Sequence, residues 1–381
     1  MKRILRLGAR GSIGTQTVDI IRAHPEELTL VGASVGKNKK YLEMLLQEHS
    51  LACAYLVEPD YDLESRYPKT VFYFGTDGLM RMVRETDYDL LVNALVGFTG
   101  FRPTLTAIEN GKDVALANKE TLVAGGDLIM AAVKKYGIKL FPIDSEHSAI
   151  LQCLQGHQKE DLRRLIITGS GGSFRDKTRE ELEGVTLKDA LKHPVWSMGA
   201  KITIDSATMM NKGFEVMEAH HLFDVDYDKI DVILHAESIV HSMAEYNDGS
   251  IIGQLGVPDM HLAIKYALLY PDHKYDPKTK YLDLADVGSL HFKKMDYRRY
   301  PLVKLAKDIG KYGGNFGSVL IGANDEAVSL FLHERISFTE IETYVFKTLE
   351  AANFIRDPDP EDIIYSNRWA VEYVDQLWAN S

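Results

Sequence analysis

Asp144 and Glu146 stand one residue apart in Pro142-Ile143-Asp144-Ser145-Glu146-His147, straight after the apolar run Lys139-Leu140-Phe141. If that run is a strand, its period of two turns both carboxylates to one side. Like charges so placed raise each other's pKa unless a cation lies between them, and a divalent metal or a basic side chain would serve. The plain alternative is a solvated strand end entering a helix capped by Ser145 or Ser148. Further on, Asp205-Ser206-Ala207-Thr208-Met209-Met210-Asn211-Lys212-Gly213-Phe214-Glu215 puts Ser206 at a helix start. Asn211, Lys212 and Glu215 then share one helical face through spacings of three and four. A hydroxyl, an amide, an ammonium and a carboxylate make a poor core and a good polar pocket, although an exposed Lys212–Glu215 pair would look the same. Glu215 also supplies a third carboxylate. Three oxygen ligands with open positions describe a Mg²⁺ or Mn²⁺ site.

Three further segments carry chemistry. Leu7-Gly8-Ala9-Arg10-Gly11-Ser12-Ile13-Gly14 follows the first apolar run and opens a helical one. Glycines there let the backbone approach a pyrophosphate, and a helix N-terminus favours the anion. The second apolar run ends in Gly36-Lys37-Asn38-Lys39-Lys40, with no acid to take a ribose hydroxyl. That favours NADP over NAD, with a solvated helix start as the alternative for Lys39 and Lys40. Ser170, in Thr168-Gly169-Ser170-Gly171-Gly172, lies in a glycine-rich turn suited to an anion. His193 precedes a proline, and with Trp196 it forms a non-helical loop that reads as a lid.

The elements that must position these groups alternate. Arg3–Gly8, Leu28–Val35, Ala52–Val57, Asp89–Leu95, Asp113–Asn118 and Lys139–Asp144 read as strands, separated by segments of helical period. Such alternation implies a parallel, doubly wound sheet whose ligands bind beyond the strands' carboxyl ends. Asn118-Lys119-Glu120 ends the fifth of these strands and so faces the same crevice as Asp144. The middle of the chain reads as a strand before Ser170, a strand at Ala200–Asp205, one helix over 207–223, and three strands, the last two joined by an Asn-Asp-Gly hairpin turn. From about residue 300 the pattern is helical to the end, broken at Pro358-Asp359-Pro360.

Bulk properties narrow the classes. With 381 residues the chain makes two or three domains at about 150 each. The 44 cations and 55 anions give a net charge of −11, which argues against a nucleic-acid binder. No apolar run reaches the roughly 18 residues of a membrane span. Two cysteines give neither a disulfide framework nor metal-ligand spacing, which fits a cytoplasmic location.

Taken in order, Gly11–Thr17, Gly36-Lys37-Asn38, Leu116–Glu120, Asp144–Ile150, Thr168–Gly172, Lys192–Glu215 and Pro258-Asp259-Met260 resemble the 1-deoxy-D-xylulose 5-phosphate reductoisomerase family along essentially the whole chain. The resemblance implies an α/β protein. Its parts would be an N-terminal Rossmann-type NADPH-binding domain (1–148), a central α+β catalytic and dimerisation domain (149–275), a linker (276–298) and a C-terminal helical bundle (299–381). It implies Asp144, Glu146 and Glu215 as metal ligands for Mg²⁺ or Mn²⁺. Lys119, Ser145, Ser170, His193, Ser206, Asn211 and Lys212 match substrate positions, with Lys119 and His193 placed among the catalytic groups and Trp196 in the closing loop. Gly11, Ser12, Ile13, Gly36, Lys37, Asn38, Asn118, Glu120 and Gly199 match cofactor positions, and Arg10 stands beside them where the family has Thr. Ser173, Ala236, Glu237, His261 and Ala263 are further departures. The implied reaction is the isomerisation and reduction of a sugar phosphate by a homodimer. A related NADP-dependent polyol-phosphate dehydrogenase is the rival.

Overall fold

The computed structural model describes residues 1–9, 11–196 and 198–380, so Arg10, Ser197 and Ser381 lie outside the described residues. The chain forms two compact units. The first takes residues 1–118, 129–148 and 259–280, and the second takes 119–128, 149–258 and 281–381.

The first unit is built on seven strands: β1 (Lys2–Leu7), β2 (Leu28–Ser34), β3 (Cys53–Leu56), β4 (Val71–Phe74), β5 (Leu90–Asn93), β6 (Asp113–Leu116) and β7 (Leu140–Pro142). They lie in the order β4-β3-β2-β1-β5-β6-β7. All neighbours are parallel. Strand order reverses between β1 and β5, which is where a doubly wound sheet opens its ligand crevice. Ile4, Leu30, Leu90 and Val92 are buried on the sheet, with Val18 and Leu42 from flanking helices and Ile264 and Leu268 from the helix Met260–Leu269. β4 was not foreseen. Its four residues sit at the sheet edge with Val71 exposed, so the alternation that marks a half-buried strand is too short to register. Asn118 accordingly follows the sixth strand, β6, and not the fifth.

The pair Asp144 and Glu146 corrects a second expectation. β7 stops at Pro142, and a helix runs from Ser145 to Cys153. Glu146 is therefore in a first helical turn, and Asp144 precedes it, so the period of two does not relate them. Carboxylates at a helix N-terminus are favoured by its dipole, which makes the turn locally stable without any metal.

The second unit carries β8 (Leu162–Gly169), β9 (Ile230–Leu234), β10 (Val240–Tyr246), β11 (Ile251–Leu255) and β12 (Lys293–Lys294) in the order β11-β10-β8-β9-β12. The Asn-Asp-Gly turn joins β10 and β11 as an antiparallel hairpin. β11 is an edge strand with apolar side chains in solvent: Ile251 is 54% exposed, Ile252 36% and Leu255 37%. The C-terminal part is helical, as the pattern implied: Pro301–Tyr312, Phe316–Leu332, Glu340–Ala351 and Pro360–Ala379. Asp359 caps the last of these through the amides of Glu361 and Asp362, with Pro360 in the first turn. Among the described residues no helix is long and apolar enough to cross a membrane.

Ala200–Asp205, expected as a strand, is part of a helix spanning Ala200–Thr208. Ile202, Thr203 and Ile204 favour a strand by propensity, but tertiary burial of the helix's second half, Thr203 to Thr208, overrides it. Thr203 Oγ1 further donates to the Gly199 carbonyl at 2.8 Å, a bond that only a helical turn allows. Ser206 is thus near the end of a helix, not its start. The next helix begins at Met210, because Met209 takes a left-handed conformation (φ 62°) and breaks the expected single helix.

Candidate active site

In the first unit, Gly8 leaves β1 with φ +76°, and a Cβ there would fall 2.4 Å from the Ala94 carbonyl oxygen just past β5. The turn therefore requires glycine twice over, by conformation and by space. It is fastened to β2, because Gly8 N donates to Ser34 Oγ at 3.0 Å and Ala9 N to the Ser34 carbonyl at 2.8 Å. Gly11 precedes the helix Ser12–Ala23, which no side chain among the described residues caps. Its first amides, at Ser12 and Ile13, are arranged to receive an anion. After β2, Gly36 has φ +59°, Lys37 is exposed, and Asn38 Oδ1 caps the helix Lys39–Glu48 by accepting from Tyr41 N at 3.1 Å. Lys39 pairs with Asp60 at 2.9 Å, the bland role allowed for it. Asn118 is buried, and its Nδ2 donates to the carbonyls of Leu95 at 3.0 Å and Gly97 at 2.7 Å. This links the ends of β5 and β6 beside the crevice. At the end of β7, Ser145 N donates to Asp144 Oδ1 at 3.1 Å, and Ser145 Oγ donates to Glu146 Oε2 at 2.5 Å. Both carboxylates are thereby oriented.

In the second unit, Glu215 is fully buried and is held from three sides. Lys119 Nζ donates to its Oε1 at 3.0 Å, Asn211 Nδ2 to the same oxygen at 2.5 Å, and Lys212 Nζ to Oε2 at 2.6 Å. Lys119 also donates to Asn211 Oδ1 at 2.8 Å. Two ammoniums on one buried carboxylate keep it ionised, and the charge-assisted bonds fix its position. Asn211, Lys212 and Glu215 thus occupy one helical face, as their spacing required.

Ser170 follows β8 in a turn where Gly171 (φ +82°) and Gly172 (φ +70°) are both left-handed. A Cβ on Gly172 would sit 2.3 Å from the Ser206 carbonyl oxygen, so the turn lies hard against the helix Ala200–Thr208. Gly172 N donates to Ser170 Oγ at 3.2 Å. The other partner is His193. Its Nδ1 accepts from Val195 N at 3.2 Å and Trp196 N at 2.9 Å, so this nitrogen carries no proton. The proton is then on Nε2, which donates to Ser170 Oγ at 3.2 Å. Burial, reinforced by the charges of Arg175 and Lys212, pushes the imidazole down to about 4, in line with a neutral ring. Ser170 Oγ accepts twice, so its own O–H is left to donate outward, as an anion-binding hydroxyl must.

Glu120 and Gly199 lie in the second unit, with Gly199 at the start of the helix Ala200–Thr208. Glu120 meets Lys201 Nζ at 3.1 Å, and the same nitrogen meets Asp205 at 3.0 Å and Asp325 at 2.8 Å. Sequence reading missed this cluster. The i,i+4 spacing of Lys201 and Asp205 was a usable helix signal, whereas Asp325 is distant in sequence. Four of the departures among the described residues make hydrogen bonds. Ser173 Oγ donates to the Ala190 carbonyl at 2.6 Å, the Ala236 carbonyl accepts from Arg175 at 3.0 Å, Glu237 pairs with His291 at 2.6 Å, and His261 with Asp276 at 3.0 Å. Ala263 is buried.

Three family models match the chain: 1-deoxy-D-xylulose 5-phosphate reductoisomerase over residues 4–126, its C-terminal domain over 140–223, and the DXP reductoisomerase C-terminal domain over 255–373. The chain is 52% identical over 366 residues to the 1-deoxy-D-xylulose 5-phosphate reductoisomerase of Geobacillus sp. (strain WCH70), covering 95% of this chain and 96% of the relative. It is 49% identical to that of Listeria monocytogenes over 379 residues, covering 99% and 100%. Among solved structures it resembles the Zymomonas mobilis enzyme in complex with NADPH (TM-score 0.91, 36% identity, 99% of each chain). It also resembles a DOX-P reductoisomerase in complex with NADPH, fosmidomycin and magnesium (TM-score 0.92, 36% identity, 100% of this chain and 98% of that one). With its glycine turn, its buried Glu215 and matches that run nearly end to end, the chain belongs to the 1-deoxy-D-xylulose 5-phosphate reductoisomerase family.

Proposed function

We propose that this chain performs the family's reaction, the NADPH- and divalent-metal-dependent isomerisation and reduction of 1-deoxy-D-xylulose 5-phosphate to 2-C-methyl-D-erythritol 4-phosphate in non-mevalonate isoprenoid biosynthesis. The observation that supports it most directly is Ser170 Oγ in its glycine turn, contacted by His193 Nε2 and the Gly172 amide so that its O–H is left to donate to a ligand. A plain polyol-phosphate dehydrogenase has no comparable support, since Ala236, Glu237 and His261 are engaged in local contacts.

The glycine turn and the acid-free segment Gly36–Asn38 fit a dinucleotide phosphate, which Gly11, Ser12, Ile13, Gly36, Lys37 and Asn38 would hold, and Asn118, Glu120 and Gly199 are the further cofactor positions. Asp144, Glu146 and Glu215 fit a hard divalent cation by donor type, and the bonds from Lys119 and Lys212 to Glu215 support its place in that set. When bound, the cation supplies Lewis acidity to substrate oxygens and the nicotinamide supplies hydride. The chain's own groups do the rest. Ser170, Ser206, Asn211 and Lys212 hold the phosphate, Ser145 orients Glu146, and Lys119 keeps Glu215 ionised near the reacting oxygens. His193 keeps its proton on Nε2 and so aims Ser170, while Trp196 belongs to a loop that closes over the substrate and excludes water.

We further propose a cytoplasmic homodimer. The bare β11 edge, with Ile251, Ile252 and Leu255 in solvent, fits a second copy of the chain. The division into parts at 148, 275 and 298 belongs to the same proposal, and the run of helices from Pro301 supports its last boundary. The deciding assay follows NADPH consumption with 1-deoxy-D-xylulose 5-phosphate, with and without Mg²⁺ or Mn²⁺, and identifies the product. A reduced but unrearranged product would replace this reading with the dehydrogenase.

A further inference from the structure

Arg6 is an unusual residue for the interior of a parallel sheet. It lies on β1, two residues before Gly8, with 0% of its surface exposed. Its Nη2 donates to the Gly8 carbonyl at 2.8 Å. A Cβ on Gly14 would fall 2.2 Å from the same nitrogen. The guanidinium therefore sits directly beneath the glycine turn, between Gly8 and the first turn of the helix Ser12–Ala23. Its Nε and Nη1 have no hydrogen-bond partner among the described residues. Among the described residues no carboxylate offsets its burial, and Tyr41, a phenol whose pKa burial raises, is neutral at neutral pH and gives no counter-charge. A buried cation without a counter-anion is costly, and burial holds this one down at about 9, still protonated at neutral pH. An aliphatic residue would fill the position without that cost. The charge is useful only toward an anion that comes to the turn from outside.

We propose that Arg6 is a positioning residue for the cofactor's pyrophosphate, acting from beneath the glycine turn through its charge and its hold on the Gly8 carbonyl. The inference rests on the reading of the first unit as the NADPH-binding part. It adds a buried source of charge to the backbone amides that already face the turn. The pyrophosphate is common to NADPH and NADH, so Arg6 acts on both dinucleotides alike. Lys37, exposed after β2, is the contrasting case, because its charge serves only a 2′-phosphate.

The test is direct binding, read by quenching of protein fluorescence and by dinucleotide-induced shift of Tm, without turnover. Arg6→Met should weaken NADPH and NADH by the same factor, about tenfold for the loss of one partly screened charge–charge contact. The free Arg6→Met protein should be at least as stable as wild type in urea, since a buried charge has been replaced by a hydrocarbon. Arg6→Lys retains the charge and should recover most of the affinity, and it also serves if Arg6→Met does not fold. Lys37→Met should weaken NADPH alone. Unchanged dinucleotide affinity in Arg6→Met, or an Arg6→Lys protein as weak as Arg6→Met, would overturn the proposal. A wild-type protein that binds neither dinucleotide would instead remove the cofactor reading on which it rests.

Discussion

Two ion clusters in the second unit, one half-buried and one buried, are built from opposite parts. At Lys201 one ammonium meets three carboxylates, and at Glu215 one carboxylate meets two ammoniums and an amide. Their sources in the chain differ as well. Glu120, Lys201, Asp205 and Asp325 come from three separate segments, so the first cluster is a staple. Asn211, Lys212 and Glu215 come from one helix, and only Lys119 is brought from elsewhere. Burial alone would lower the pKa of Lys201, but Asp205, Asp325 and Glu120 outweigh it and hold the ammonium charged. Burial pushes Asp325 up to about 6, so the carboxyl is ionised at neutral pH and takes up a proton only as the pH falls to about 6. The two clusters also grip neighbouring residues, Lys119 in one and Glu120 in the other. The staple therefore fixes the segment from which Lys119 reaches Glu215. The first cluster joins distant segments, and the second is presented by a single helix, the one proposed above to serve a ligand.

That contrast can be broken by experiment. The largest effect should follow Glu215→Gln. We expect kcat with Mg²⁺ to fall by more than the roughly 10–100-fold that groups outside the ligand set usually cost. Mn²⁺ binding, followed by electron paramagnetic resonance, should weaken while NADPH binding holds, and a Glu215→Gln protein of normal activity would erase the distinction between the clusters. Lys201→Met should act on stability, lowering the free energy of unfolding in urea by roughly 1–3 kcal/mol because three carboxylates, Asp325 among them only partly buried, lose their cation. A loss of activity with unchanged stability would reverse the assignment.

A smaller effect belongs to His193. Its folded pKa, about 4, lies below the ordinary 6.5, so between those values the unfolded chain binds a proton that the folded chain refuses. Stability should fall as pH drops through that window and level off below it. His193→Asn should flatten the fall, and a ring resonance titrating near 6.5 in the folded protein would contradict it. The smallest effect is that of Asp325→Asn, within about 1 kcal/mol at pH 7 because Lys201 keeps two carboxylates. The sign is opposite to that of His193. A carboxyl raised from 3.8 to about 6 makes the folded state the better proton binder between those values. Stability then falls as pH rises through the window, and the asparagine removes that fall.

What could be read from the sequence was local. The glycine turn after β1, the Asn-Asp-Gly hairpin and the C-terminal helices each announce themselves within about ten residues through period or turn chemistry. The shared face of Asn211, Lys212 and Glu215 is legible for the same reason. Ala200–Asp205 misled because β-branched residues outvoted the i,i+4 pair of Lys201 and Asp205, and only burial in the folded unit decides between them. Asp144 and Glu146 misled because the end of a three-residue strand cannot be placed to within a residue, and one residue changes which period applies. The contact of Asp325 with Lys201 has no local signature at all. The orientation of Ser170 depends on which nitrogen of His193 is protonated, which follows from backbone bonds invisible in a residue list.

β11 has a consequence for the newly made chain. Ile251 and Leu255 fall on one face of the strand and Ile252 on the other, all in solvent, beside an open row of backbone donors and acceptors. Left uncovered, that edge is a template for any extended segment that meets it. The risk grows with crowding on the polysome, while the net charge of −11 keeps unfolded and half-folded chains apart by repulsion. Charge reversals on the surface should therefore show first as lost yield during synthesis, before any change in the finished enzyme.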